Sequence, residues 1–363
     1  MIPARENLSA MNRSGLVDLF RDLLQLRHPI IQAPMAGVQD GRLAVAVSNS
    51  GALGSLPCAM LAADAMRREM TAIRAGTDRP FSVNFFCHTP PTATSAQRDA
   101  AWRAALAPYY AELGIRVDAI PTGPTRSPFS HEMADVLEDL KPPVVSFHFG
   151  LPSSQLLGRV RASGARILSS ATTVEEARWL EAHGVDAIIA QGLEAGGHRG
   201  MFLTGDLTTQ LGTFALLPQV VRAVRVPVIA AGGIVDAAGV AAAMALGAAA
   251  VQVGTAYLLC HEATTSVVHR AVLKSDDARH TALTNLFSGR PARGVVNRLM
   301  RELGPISTLA PEFPLAAAAI APLRAAAESR GLSDFSPLWC GQNASRCKDA
   351  AAADVTDELL CGF

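Results

Sequence analysis

Eight short apolar runs punctuate the chain between Pro29 and Val253, and each ends in turn-forming or polar residues. They are Pro29–Ala33, Ala52–Leu56, Phe81–Phe86, Val144–Phe149, Arg166–Ser170, Ala187–Ala190, Pro227–Ala231 and Ala249–Val253. Most are continuous rather than alternating, the pattern of strands buried on both faces and hence of a parallel sheet. Helical patterns fill the intervals at Gly41–Asn49, Ala59–Ala75, Ala96–Leu113, Ser153–Ala162, Val174–Ala182, Leu207–Val224 and Ala237–Leu246. This alternation predicts an α/β fold of the TIM-type (β/α)8 barrel class. A doubly wound open sheet is the alternative. No GxGxxG follows the first run, which weighs against it.

The flanks read differently. Residues 1–28 form an N-terminal helical extension. Within it Gly15–Arg27 spaces Leu16, Phe20, Leu23 and Leu24 along one face, suited to plugging the bottom of the barrel. The barrel is expected over 29–262. Residues 263–330 read as helices punctuated by Pro305, Pro311, Pro314 and Pro322, a helical subdomain capping the substrate face. Residues 331–363 read as a tail packing on the barrel. The segment Ala241–Leu259 imitates a membrane span, but it is rich in Ala and Gly. Gly247 and Gln252 divide it into a helix and a strand.

Composition narrows the function. The 363 residues are 49% hydrophobic, enough for a deep core, and 32 basic residues balance 32 acidic ones. Without a basic excess, neither nucleic acid nor an anionic membrane is an expected partner. Cysteines at 58, 87, 260, 340, 347 and 361 form no CxxC pair, so neither a metal site nor a disulfide framework is expected. With a charged N-terminus lacking an apolar h-region, the expected compartment is the cytoplasm. Exposed barrel faces often pair, which leaves a homodimer open.

Chemistry concentrates at three strand ends. The run Ala187–Ala190 opens into Gln191-Gly-Leu-Glu-Ala-Gly-Gly-His-Arg-Gly200, and Gly232-Gly233 and Gly254-Thr255 follow the last two runs. Glycines let a backbone approach a flat or phosphorylated ligand, and amides in such turns form an anion nest. His198 is the leading candidate for a base or hydrogen-bond donor, with His148 as its rival. Gln32 reads as a ligand-facing amide or an interior polar group. Glu194 is expected to orient a loop amide, Arg199 to attract an anion or lie in solvent, Cys87 to be a buried bystander, and Glu176 to be a solvated helix-start carboxylate.

These residues resemble the nitronate monooxygenase family, formerly 2-nitropropane dioxygenase. The matching pieces are Pro29-Ile-Ile-Gln-Ala-Pro-Met35, Ser48-Asn-Ser-Gly-Ala-Leu-Gly54, Phe81-Ser-Val-Asn84, Val145-Ser-Phe-His-Phe-Gly150, the 191–200 loop, Ala231-Gly-Gly-Ile234 and Ala250-Val-Gln-Val-Gly-Thr255. The resemblance implies FMN as cofactor, with a small nitronate or nitroalkane and O2 as substrates. It implies that Ala33, Pro34, Met35, Asn84, Gln191, Gly196 and Gly197 contact the flavin. Gly232, Gly233, Gln252, Val253, Gly254 and Thr255 would hold its phosphate. In one branch of the family the catalytic histidine begins the helix after the fifth strand. Here Thr172–Ala177 has none, which leaves the base open between His198 and His148. Part of the fingerprint is shared with FMN-dependent NAD(P)H enoyl and quinone reductases, the alternative reading. A non-catalytic binder of a phosphorylated metabolite is a third.

Overall fold

The computed structural model describes residues 13–91, 96–116, 118, 120–124 and 126–363. The eight apolar runs become β1 (Ile30–Gln32), β2 (Gly54–Pro57), β3 (Phe81–Phe86), β4 (Val144–His148), β5 (Arg166–Ala171), β6 (Ala187–Gln191), β8 (Val228–Ala231) and β9 (Ala250–Val253); the two-residue β7 (Gly197–His198) lies outside their sheet. The sheet order is β1-β9-β8-β6-β5-β4-β3-β2, with every neighbour parallel. Gln32 N donates to Leu53 O and Leu53 N to Ile30 O, each at 2.9 Å, so β1 meets β2 and the sheet closes into a barrel.

Continuous apolar runs are explained by two cores, because successive side chains point to opposite faces of a strand. Val83, Val145, Ile167, Ile188 and Val251 pack outward against the helices. Ile31, Val144, Leu168, Ile189 and Ile229 point inward. Phe20, Leu24 and Leu26 join the inward cluster, so α1 (Arg13–Leu24) and the residues just after it plug the barrel.

The surrounding helices are α2 (Gly41–Asn49), α3 (Ala63–Gly76), α4 (Ala96–Leu113), α5 (His131–Leu140), α6 (Ser154–Ala162), α7 (Val174–Ala182), α8 (Thr213–Ala223) and α9 (Ala237–Ala245). Side-chain caps fix several starts: Asp40 accepts from Arg42 N, Ser153 from Leu156 N, Thr173 from Glu176 N and Asp236 from Gly239 N. Two departures from the sequence reading stand out. α5 lies where no helix is predicted. The helix predicted over Leu207–Val224 begins only at Thr213, after a 3-10 turn at Leu207–Thr209. The Ala241–Leu259 segment divides at Gly247 (φ 96°) into the end of α9 and strand β9. Among the described residues no helix is long and apolar enough to cross a membrane.

Beyond the barrel come α10 (Val267–Leu273), β10 (Thr281–Thr284), β11 (Ala292–Val295), α11 (Arg298–Leu303), α12 (Ala316–Glu328) and α13 (Ala352–Leu360). The purely helical reading of 263–330 is corrected: β10 and β11 form an antiparallel pair, and β11 also pairs with β7. Their four-residue length, with Arg293-Gly294 inside β11, leaves no apolar run to detect. This region has its own core, in which Trp102, Leu106 and Tyr110 of α4 meet Ile320 and Leu323 of α12. The final segment returns to the barrel. Val355 and Leu359 of α13 enter its outer core, and Thr356 Oγ1 lies 3.0 Å from Tyr257 Oη.

Candidate active site

One cavity opens at the carboxyl ends of the barrel strands, where this architecture builds its sites. Of the residues singled out from sequence, Ala33, Pro34, Met35, Asn84, His148, Gln191, Gly196, Gly197, His198, Gly232, Gly233, Gln252, Gly254 and Thr255 all line it. Val253 does not. Gln252 faces the cavity, so the next side chain along the strand must face away, and Val253 sits in the outer core.

The floor is polar and partly uncommitted. Asn84 Nδ2 donates to Ser146 Oγ (3.0 Å), while its Oδ1 receives no donor from the described residues. The Gln252 carboxamide likewise has no partner among them, although it lines the cavity. Gln191 is more occupied: Nε2 donates to His198 O (2.9 Å) and Oε1 accepts from Gly200 N (2.7 Å), so it pins the loop that carries His198. Gln32 is an interior strut. Its Nε2 donates to Gln39 Oε1 (2.7 Å) and its Oε1 accepts from Ser55 N (3.0 Å).

At one end, Gly232 (φ 116°) and Gly233 (φ 75°) adopt the left-handed backbone that glycine permits. The amides of Gly233 and Thr255 have no acceptor among the described residues. Glu194 holds the turn beneath them, accepting from Thr213 N (2.7 Å) and Thr213 Oγ1 (2.8 Å) as expected of a loop-orienting carboxylate. The C-terminal segment closes this end. Gly341 N donates to Thr255 Oγ1 (2.9 Å), Gln342 N to Glu194 O (3.0 Å) and Asn343 Nδ2 to Gly233 O (3.2 Å). Gly196 makes room for it: a Cβ there would lie 2.5 Å from the Cys340 carbonyl carbon. Sequence reasoning missed Trp339, Cys340, Gly341 and Asn343, because their polar tail carries no motif.

Two other expectations change. Arg199 is fully buried rather than solvated. Its guanidinium donates to Gly192 O (2.6 Å), Gln191 O (2.7 Å) and Gln210 Oε1 (2.9 Å), clamping the loop, and burial pushes its pKa down to about 10. Glu176 is also fully buried. It accepts from Thr172 N (2.7 Å), Thr172 Oγ1 (2.8 Å) and Phe202 N (2.6 Å), tying the end of β5 to the 200–203 loop.

The roof is aromatic and cationic. Phe86, Phe149, Phe313, Trp339 and His148 have ring centroids between 5.4 and 6.0 Å of His198 or in contact with those that do. Phe149 holds φ at 69°, a conformation costing about 1–3 kcal/mol for a non-glycine residue. Its ring lies 4.1 Å beneath the Arg290 guanidinium carbon. Arg290 Nη2 donates to Met201 O (2.6 Å).

Hydrogen bonding distinguishes the two histidines. His148 Nε2 lies 3.1 Å from His198 O, which can only accept, so Nε2 carries the proton. Nδ1 then accepts from Ser170 Oγ at 3.0 Å, and both ring nitrogens are engaged. Around His198, the Ser288 hydroxyl donates to Arg290 O (3.2 Å), leaving its oxygen to accept from His198 Nε2 (2.9 Å). The Nδ1 lone pair of His198 is left without a donor among the described residues. Burial, assisted by the nearby cations, lowers both pKa values: His148 to about 4, and His198 well below the ordinary value. Both are neutral at pH 7.

A family profile described as nitronate monooxygenase matches residues 18–361. The nitronate monooxygenase of Paraburkholderia phytofirmans is 43% identical over 344 residues, covering 93% of this chain and 92% of that protein. The one from Pseudomonas aeruginosa is 42% identical over 350 residues, covering 95% and 99%. Among solved structures, nitroalkane oxidase from Streptomyces ansochromogenes superposes with a TM-score of 0.85 at 38% identity, covering 94% of this chain and 96% of that one.

Proposed function

Because the chain belongs to the nitronate monooxygenase family, we propose that it holds FMN in the strand-end cavity and oxidises alkyl nitronates with O2, yielding a carbonyl compound and nitrite. The observation that carries the cofactor assignment is the convergence of unpartnered groups on one cavity. Asn84 Oδ1 and the Gln252 carboxamide suit the heteroatom edge of a flavin, and the Gly233 and Thr255 amides suit a phosphate. Segment 339–343 lies across the phosphate end, which favours a mononucleotide over a dinucleotide.

The flavin, when bound, supplies the redox chemistry. The chain's residues bind, orient and move a proton. A nitronate has already lost its α-proton, so the aromatic, cationic roof needs only to seat it and exclude water. A neutral nitroalkane must lose that proton. His198 Nδ1, neutral and carrying a free lone pair at the cavity roof, is suited to take it. His148 is less suited, with both nitrogens committed, and acts by holding the His198 carbonyl in place. Heating the purified protein and resolving the released cofactor by chromatography tests the assignment. FMN is the expected peak. FAD would refute the mononucleotide reading, and no flavin at all after reconstitution would refute the cofactor.

A further inference from the structure

Arg126 lies on the cavity wall, between α4 and α5, and has no counter-charge among the described residues. Its guanidinium carbon is 5.8 Å from the centre of the Phe313 ring, and its Nη1 is buried without a hydrogen-bond partner. No acidic side chain among the described residues pairs with it or offsets its desolvation. His88 stands against the same ring, 4.8 Å between centroids, and its buried Nδ1 also lacks a partner among the described residues. A buried cation left unpaired costs several kcal/mol. Arg290 differs, since the Met201 carbonyl accepts from it.

We propose that Arg126, assisted by His88, is the seat for the negative charge of the substrate, so that the cavity selects the nitronate anion over its neutral nitroalkane. This rests on the nitronate reading above. A nitronate spreads its charge over two coplanar oxygens, which the planar guanidinium fork matches in a bidentate pair. Phe313 touches His198 (5.4 Å), His88 (4.8 Å) and Arg126, so the anion's oxygens sit across that ring from the proton-accepting histidine. The same cation disfavours a protonated His198, and so keeps the base in its receptive form.

The probe is nitrate, a planar and inert stand-in for the nitronate group, titrated into flavin-loaded protein while the flavin spectrum is followed. In Arg126→Met its Kd should rise about 10- to 100-fold, the effect of losing a charge-assisted hydrogen bond. The ratio of kcat/KM on ethylnitronate to that on nitroethane should fall by a similar factor, and Arg126→Lys should recover part of both. Equal nitrate affinity in wild type and Arg126→Met would overturn the proposal. So would equal losses on the two substrates, which would indicate a role in shaping the roof. Should Arg126→Met not retain flavin, wild type alone still decides: nitrate must compete with ethylnitronate, and non-competitive inhibition overturns the assignment. Wild type that binds nitrate yet turns over no nitronate would instead sink the nitronate-oxidation reading and leave the anion seat standing.

Discussion

The two ends of the cavity are built by opposite means. At the proposed phosphate end, backbone does the work. Gly232-Gly233 and Gly254-Thr255 leave β8 and β9, which are neighbours in the barrel, and Ala33–Met35 leave β1 beside β9. At the roof, side chains do the work. Arg126 and Trp339 line it, with Phe149 and Phe313 packed behind, and all four arrive from loops far apart in the chain. A backbone cradle needs glycine at set positions in contiguous segments, and the barrel itself fixes those positions. A roof of side chains needs only that the loops meet, which leaves it free to vary in what it admits. Cofactor binding should therefore fail through the first region and substrate preference through the second.

The largest effect expected from breaking this division is at Gly254. Its φ of −110° is open to any residue, and a Cβ would meet Ala33 Cβ at 3.4 Å and Met35 Sδ at 3.7 Å, ordinary contacts. Gly254→Ala should keep its flavin. Gly254→Asp should lose it entirely while the fold persists, because two like charges ~4 Å apart repel by about 1 kcal/mol in water and about 4 kcal/mol near a protein surface. Flavin absorbance per chain and circular dichroism on both variants check this. Full occupancy in Gly254→Asp would remove the phosphate from this end.

Next in size is His198, the point where the two regions meet. His198→Asn should lower turnover of nitroethane by about 10² to 10⁴ and turnover of preformed ethylnitronate far less, since only the neutral substrate needs a base. His148→Asn, assayed alongside, should damage both substrates alike through the misplaced His198 carbonyl. A loss confined to nitroethane in the His148 variant alone would reassign the proton to β4.

Legibility in the sequence follows the same division. Eight strands could be read because strands packed on both faces are apolar throughout, and the glycine turns could be read because each is contiguous. The Val253 side chain lies off the cavity because the motif counts residues while the pleat alternates them. Glu176 reads as a helix-start carboxylate until the distant Phe202 amide is seen to bind it. Gln191 and Gln252 are indistinguishable as letters. Only the fold shows that the first pins a loop while the second lies open to the cavity. Arg126, between Pro124 and Pro128, reads as an ordinary loop cation, because the absence of a partner is a tertiary property.

The cationic roof also predicts a stability profile. His88 and His148 have folded pKa values lowered to about 4, chiefly by burial, against 6.5 unfolded. The folded state therefore holds fewer protons between those limits. Their contribution is fully present above about pH 6.5 and is lost as pH falls toward 4, by up to roughly 3 kcal/mol per histidine. Urea midpoints measured from pH 7 to pH 4 should fall, and His148→Asn should fall less steeply. Identical slopes would mean that His148 takes up its proton without unfolding.

The smallest effect, and the one that most finely separates positioning from binding, belongs to Ser288. Its oxygen accepts from His198 Nε2 while its hydroxyl is committed to Arg290 O, an arrangement that leaves the His198 lone pair on Nδ1. Ser288→Ala removes the hydroxyl's bonds to both His198 and Arg290; the neutral one to His198 is worth about 0.5–1.5 kcal/mol, or about 2- to 10-fold in rate. The loss should appear in kcat on nitroethane rather than in KM. The ring nitrogens are then free to exchange roles, and a part of the population presents N–H where a lone pair is required. Nitrogen-15 chemical shifts of His198 in the flavin-loaded variant should show Nε2 losing its share of the proton. Ser288→Thr, which retains the oxygen, should restore both the shift pattern and the rate. Should Ser288→Ala instead raise KM for ethylnitronate and leave the nitrogen shifts unmoved, the hydroxyl serves the shape of the roof and not the tautomer of the base.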